Sequence, residues 1–269
     1  MYLPAYNFVY WLNKLLTFDI EYQTDRSRYP ELDDRLFAAA SYVRPGARFC
    51  DIGTDHAYLP LALVREGRAE CALACDVNEG PCRRALNHIA EAGRHRIRVT
   101  PESAVQVGAG GVAVMLTDGL RGVEGFAPTD IAAAGMGGEL IIQILSASEY
   151  IRDEGVRLIL QPMTRASKLR LWLYSSGFEA IGENIAESDG RLYQIICAQY
   201  TGVVRELTGI EALCGIRNIE NRTESFRKFV LHELKVNRSR LDGLRRSSGG
   251  AAGAEETALL CSQLEELLK

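Results

Sequence analysis

Two short segments constrain the fold of this 269-residue chain more than any others. They are Phe49-Cys50-Asp51-Ile52-Gly53-Thr54-Asp55-His56-Ala57-Tyr58-Leu59-Pro60 and Asp130-Ile131-Ala132-Ala133-Ala134-Gly135-Met136-Gly137-Gly138. Each is an apolar run that ends in residues punctuated by glycine and is followed by a helical pattern. A parallel strand hands over to a helix in this way at the ligand-binding edge of an open α/β sheet. Two such edges in one sheet face the same crevice. A nucleotide-like ligand is therefore the first expectation, and the acidic residues decide which kind.

The rest of the first 200 residues supports an alternating sheet. Leu32, Leu36, Phe37 and Ala40 recur at helical spacing and predict a helix over 31–42, ended by Arg44-Pro45-Gly46. Strands are expected at 48–52, 71–77, 130–134 and 157–160, and helices at 59–66, 80–92, up to 146, and 165–176. Pro81 suits a helix start and Gly93 a helix end. Residues 96–100 and 112–116 both qualify as a further strand, with the glycine-rich stretch 101–111 between them as a flexible insertion. Asp118-Gly119 marks a strand-end turn. Ser188-Asp189-Gly190 between apolar runs at 178–185 and 192–198 predicts a β-hairpin. Beyond residue 201 two helices are expected, over 218–246 and 254–268, paired as a hairpin around Ser247-Ser248-Gly249-Gly250. The expected fold is α/β: a Rossmann-like, mostly parallel sheet with one antiparallel strand, followed by a C-terminal α-helical hairpin. The division expected is an extension over 1–30, a ligand-binding catalytic domain over 31–200 and a helical, coiled-coil-like domain over 201–269.

Seven cysteines, odd in number and scattered without a Cys-x-x-Cys pair, read as buried reduced thiols. No metal site, Ser-His-Asp set or P-loop stands out. The first twenty residues are apolar and aromatic, but Asn7, Asn13, Lys14 and Asp19 interrupt them. Without a basic n-region or a small-residue cleavage site they read as an amphipathic extension or an over-long translation start, not a signal peptide. No transmembrane segment is expected, and the cytoplasm is the default location. Oligomeric state is left open. The net charge of −4 is unevenly spread: residues 217–246 hold nine Lys/Arg against four acids, a net of +5, which leaves −9 on the rest. A basic stretch on an acidic body points to a polyanionic partner, with a solvated helix face as the equal alternative.

In a dinucleotide fingerprint the first strand runs into G-x-G-x-x-G, because pyrophosphate needs bare backbone and a helix N-terminus. Here only Gly53 fits, and Asp51 and Asp55 stand where a diphosphate would come. Those carboxylates would repel it, which disfavours a nicotinamide cofactor. A ligand with a ribose, a sulfonium cation and a free amino group would welcome them, and S-adenosyl-L-methionine is such a ligand. On this reading Asp51, Gly53, Asp55 and His56 line the methionine end. Asp76, with Val77 after it, takes the ribose hydroxyls, and Asp118 with Gly119 takes the adenine. One aspartate at a strand end often only caps a turn; three at successive strand ends make a sharper signal. The terminal hairpin is a feature that class I methyltransferase sheets also show.

Five segments together carry a resemblance: Asp51 to Pro60, Asp76-Val-Asn-Glu-Gly-Pro81, Thr117-Asp-Gly-Leu120, Ala134-Gly-Met-Gly-Gly138 and Leu158-Ile-Leu-Gln-Pro162. In order and over about residues 31–200 the chain resembles the bacterial tRNA adenine-N1-methyltransferase family that modifies the adenine at position twenty-two of tRNA. The resemblance implies a tRNA-modifying, S-adenosylmethionine-dependent enzyme with a Rossmann-like catalytic domain and a C-terminal helical domain that helps hold tRNA. The chain departs from the family at Asp76, where members commonly have Glu, and at Met163, where some have Asn. The run before Asp118 is also longer, and the N-terminal thirty residues look extra.

Adenine N1 already owns an in-plane lone pair, so attack on a methyl sulfonium needs no prior deprotonation. The work is to extrude the base, align N1 and exclude water, and nearby carboxylates would stabilise the cationic product. Enzymes that methylate an exocyclic adenine amine typically place an acid or amide and an aromatic after the fourth strand. The turn Ala134 to Gly138 has neither, which fits a ring nitrogen. Catalytic roles are thus expected for Asp51, Gly135, Met136 and Gln161, and Gly135 also borders the cofactor. Gly137, Gly138 and Pro162 are expected on the target-base side, Lys168 and Arg170 near phosphate, and Arg227, Lys228, Lys235 and Arg238 on tRNA. Blander alternatives stand beside some of these: His56 holding its own loop, Met136 filling a gap, Tyr58 and Trp172 as core instead of stacking platforms, His88 packed. Two other functions remain open from sequence: a nicotinamide-dependent oxidoreductase, and a non-catalytic tRNA-binding protein on the same fold.

Overall fold

In the computed structural model, residues 25–246 and 251–269 are described. The extension expected over 1–30 falls, up to residue 24, outside the described residues, as does the Ser247–Gly250 loop. Eight strands form one sheet in the order β3-β4-β2-β1-β5-β6-β8-β7. They are β1 (Ala47–Ile52), β2 (Ala69–Asp76), β3 (Ile97–Arg98), β4 (Val112–Leu116), β5 (Asp130–Gly137), β6 (Arg157–Thr164), β7 (Phe178–Ser188) and β8 (Arg191–Tyr200). The pairs among β1 to β6 are parallel, and β8 runs antiparallel to both β6 and β7. Both candidates for the third strand are used, the first as only two residues.

Chain order steps away from β1 towards β2 on one side and resumes at β5 on the other. That is a topological switch point, and ligands bind outside the carboxyl ends of strands at such a point. The two glycine-punctuated turns, after β1 and in β5, meet there.

The sheet sorts its small residues by face, as the two-residue period of a strand dictates. Along β2, Cys71, Leu73 and Cys75 join Cys50, Ile52, Met115 and Ile131 in one buried layer. Ala72 and Ala74 join Phe49, Leu63 and Ile89 in the other. Helices α1 (Asp34–Ser41), α2 (Tyr58–Arg65) and α3 (Glu79–Glu91) supply the second layer; α4 (Gly138–Ser146) and α5 (Ala166–Ser175) supply the first. All seven cysteines are buried and unpaired in disulfides, and burial pushes the Cys197 and Cys214 thiols up to about 12.

Helix α1 starts three residues later than expected because the Asp33 carboxylate accepts the Leu36 amide at 2.7 Å and caps it. After the hairpin, the single helix expected over 218–246 is interrupted. The structure has α6 (Gly209–Cys214), α7 (Ile216–Asn221) and then α8 (Glu224–Arg246), with Arg222 left-handed at φ 49° between the last two. A Thr208/Glu211 capping box starts α6. Helix α9 (Ala251–Glu266) returns antiparallel to α8: Arg238 meets Glu265, and Arg227 reaches the Leu268 carbonyl. Phe226, Phe229, Val230, Leu234, Leu241, Cys261 and Leu264 fill the space between these helices and Ile185 of β7. No helix among the described residues is long and apolar enough to cross a membrane.

The C-terminal helices are tied to the sheet by a buried ion pair. Arg170 on α5 and Glu183 on β7 meet at 2.6 Å with 1% and 0% of their side chains exposed. Arg170 also donates to the Ala212 and Leu213 carbonyls of α6, and Glu183 accepts the Arg217 amide of α7.

Candidate functional site

At the switch point the strand ends enclose a cavity of about 990 Å³, bordered among others by Gly53, Asp76, Asp118, Gly119, Met136 and Tyr150. Its glycines are there for space. The loop after β1 is folded over β2 by hydrogen bonds from the Gly53 and Thr54 amides to the Cys75 carbonyl, at 2.8 and 2.9 Å. Gly53 has φ +75°, and a Cβ on it would stand 2.4 Å from the Met136 methyl. A Cβ on Gly119 (φ +57°) would press on Ile144 at 3.0 Å. Asp76 closes β2 half-buried and accepts the Asn78 amide at 2.7 Å. Asp118 is exposed at the rim, and Val77 is exposed beside Asp76. The structure thus brings together Gly53, Asp76, Val77, Asp118, Gly119, Gly135 and Met136 on one cavity.

Asp51 lies beneath this rim at 8% exposure. Burial raises its carboxyl from the usual carboxylate range to about 7; a Thr54 hydrogen bond and the Arg35 guanidinium pull it down, and Asp76 pushes it up. A buried carboxyl raised in this way beside a cleft is a candidate functional group, though Asp51 is not itself on the cavity border.

Four expectations change on contact with the structure. Asp55 is not on the cavity border: it is 62% exposed and is taken by Arg84 of α3 and by His56. His56 stacks on Tyr58, which meets His88 edge-on, and the His56 carbonyl contacts His88 Nδ1 at 2.7 Å. His56 therefore belongs to an aromatic cluster beside the cavity, not to its lining. Gln161 is fully buried and its amide is committed: Oε1 accepts from Arg35 at 2.7 Å and from the Gly135 amide at 3.0 Å, while Nε2 donates to the Pro162 carbonyl. It braces the Gly135 turn and has no exposed surface to offer a substrate. Arg170 is sealed in its ion pair with Glu183 and cannot meet phosphate.

Pro162 and Gly138 are buried too. Gly138 is a packing glycine, since a Cβ there would lie 2.7 and 2.9 Å from the Arg165 and Thr164 carbonyls. Gly137, half-buried, pairs with Thr164 across β5 and β6. Lys168 is exposed and pairs with Glu139 at 2.7 Å. On α8, Lys228 pairs with Glu187 and Arg238 with Glu265, both at 2.7 Å, whereas Lys235 is exposed with no hydrogen bond or ion pair among the described residues. Trp172 packs at the edge of the core, stacked on Phe178.

One residue that sequence reasoning passed over is Arg35. It binds Gln161 from 126 positions away, acts electrostatically on Asp51, and lies 3.5 Å from where a Gly135 Cβ would be. Nothing local announces it: it is one polar residue on an amphipathic helix.

A family model described as a methyltransferase domain matches residues 32–196. The tRNA (adenine(22)-N(1))-methyltransferase of Bacillus subtilis strain 168 is 36% identical over 169 residues, which span 63% of this chain and 65% of that protein. The crystal structure of the B. subtilis m1A22 tRNA methyltransferase TrmK superposes with a TM-score of 0.74 at 28% identity, covering 89% of this chain and 99% of that one. Streptococcus pneumoniae Sp1610, solved with S-adenosyl-L-methionine, gives 0.72 at 28% identity over 88% and 100%. These likenesses, with the single Gly53 where a diphosphate loop needs three glycines, set the nicotinamide alternative aside. A Rossmann-like sheet with its cavity at the switch point, matched over more than half its length, makes this chain a member of the methyltransferase domain family.

Proposed function

We infer that the protein transfers a methyl group from S-adenosyl-L-methionine to N1 of an adenine in tRNA, the adenine at position twenty-two, in the cytoplasm. The observation that carries the reading is the convergence of Asp76 and Asp118, from the ends of adjacent strands, on one cavity whose glycines leave backbone bare. The residues present fit the donor. The volume lies within the range of small-ligand sites, ~300–1,000 Å³. A carboxylate at the end of β2 suits two ribose hydroxyls, Asp118 suits an amino-bearing ring, and Met136, Leu140 and Ile144 offer apolar surface. When bound, the donor supplies an electrophilic methyl on a sulfonium.

The chain's own part is placement and charge. Gly135, held by Gln161 and backed by Arg35, and the Met136 side chain frame a slot at the end of β5. No side chain on that turn is a base, which suits a nucleophile with a free lone pair. Asp51, close beneath, carries partial negative charge at neutral pH and would stabilise a purine that becomes cationic. The division into a catalytic body over 31–200 and a tRNA-holding helical part over 201–269 belongs to the same reading, supported by the basic character of α8. The B. subtilis relative's activity supports the choice of target.

The test is to incubate unmodified tRNA transcripts with protein and isotope-labelled donor, then identify nucleosides by mass spectrometry. Labelled 1-methyladenosine is expected. No transfer would favour a non-catalytic binder, and label on an exocyclic amine would overturn the choice of N1.

A further inference from the structure

Arg165 joins β6 to α5 beside Gly138, where the turn that begins at Gly135 ends, and it does so in a conformation that suits glycine. Its φ is 60° and its ψ 33°, in the left-handed region, where a side chain other than Gly, Asn or Asp is uncommon and strained. The 164 and 165 carbonyls lie against Gly138, with 2.7–2.9 Å to a Cβ built there, and the Arg165 carbonyl also accepts the Leu169 amide that opens α5. A glycine at 165 would satisfy the same contacts without strain, so the backbone does not explain an arginine.

The side chain is unclaimed by the protein. Arg165 is exposed and makes no hydrogen bond or ion pair among the described residues; it acts only at a distance on Glu139. Two other cations near this turn are committed: Lys168 to Glu139, and Arg35 to Gln161 and Asp33. Ala57, Ala127, Asp189 and Arg222 are also left-handed without being glycine, so what sets Arg165 apart is a free guanidinium beside the Gly135–Gly138 turn. We propose that Arg165 binds an RNA backbone phosphate next to the target nucleotide and so positions the base at the slot. This rests on the tRNA reading above. Its chemistry is a charge-assisted contact from a guanidinium to a phosphate.

The experiment compares wild type, Arg165→Gly and Arg165→Lys in thermal unfolding, in S-adenosylhomocysteine binding and in steady-state methylation of tRNA transcripts at several salt concentrations. Arg165→Gly is expected to melt no lower than wild type, because the strain relieved at a left-handed position offsets the freedom glycine adds to the unfolded chain. Its KM for tRNA should rise about tenfold with kcat little changed, and its log–log salt dependence should be shallower by about 0.7–0.9, the loss of one phosphate contact. S-adenosylhomocysteine affinity should stay as in wild type. Arg165→Lys keeps the charge and should restore most of the KM. Active wild type with an Arg165→Gly variant of unchanged KM and salt slope would overturn the proposal alone. Wild type that methylates no tRNA would remove the tRNA reading and this proposal with it.

Discussion

Replacing Glu183 with Gln should be among the most damaging single-atom changes this chain can suffer. The Glu183 carboxylate sits 2.6 Å from the Arg170 guanidinium, with both side chains sealed from solvent. It also takes the Arg217 amide at 3.0 Å. One Arg170 nitrogen, Nη2, is buried without a partner even in the intact pair. An amide in place of the carboxylate leaves a buried guanidinium facing two carbonyls and no counter-charge. Removing one partner of a buried pair costs about 3–5 kcal/mol. At roughly 2–4 °C per kcal/mol for a chain of this size, the melting temperature should fall by about 6–20 °C. The double variant Arg170→Met, Glu183→Leu removes both charges and should cost clearly less than the sum of the single changes, because neither leaves an unpaired ion behind. Urea unfolding of wild type, Arg170→Met, Glu183→Leu and the double variant gives the cycle, with Glu183→Gln measured beside them. If Glu183→Gln costs under about 1 kcal/mol, Arg170 reaches water by a route the packing does not allow, and the attachment of α6 and α7 to the sheet is looser than described.

The remaining predictions concern the site and the basic helix. Asp76→Ala should weaken S-adenosylhomocysteine binding at least tenfold by calorimetry while leaving the fold intact, and unchanged affinity would remove the ribose role. For Asp51 the folded carboxyl is raised to about 7 from an ordinary 3.8. Its neutral form is therefore favoured by folding, and that contribution to stability is fully present below about pH 4 and is lost as pH rises towards 7. Asp51→Asn should then gain stability relative to wild type across this window in denaturant titrations of the ligand-free protein; a constant gap from pH 4 to 8 would refute it. Neutralising Arg227, Lys228, Lys235 and Arg238 together should weaken tRNA binding in a salt-dependent way, although the pairs of Lys228 and Arg238 with Glu187 and Glu265 discount their share. An unaltered filter-binding titration would take α8 off the RNA.

What was legible in the sequence was what is local. Strand alternation, Asp76 at the end of β2 and the hairpin turn follow from periodicity and turn chemistry within a dozen residues, and the structure has them within a few positions. The failures share one cause, a partner far along the chain. Arg170 follows a site turn as a surface cation would, but Glu183 and two carbonyls of α6 bury it. Gln161 looks free beside a proline until Arg35, from α1, and the Gly135 amide occupy it. Asp55 carries the same charge as its neighbour Asp51, yet Arg84 draws it outward. The break at Arg222 shows no proline or glycine; a left-handed residue there turns α7 into α8 so that both pack on β7 and the C-terminal core.

On the proposed function, the cavity between the ends of β1, β2, β4 and β5 receives the methyl donor, with its ribose at Asp76. A crystal structure of the protein with S-adenosylhomocysteine tests it most directly. The ribose hydroxyls are expected on the Asp76 carboxylate, the adenine beside Asp118 and Gly119, and the sulfur facing the Gly135–Met136 turn. Density for the ligand anywhere else on the sheet, or at this cavity with Asp76 making no contact to it, would rule out this donor site.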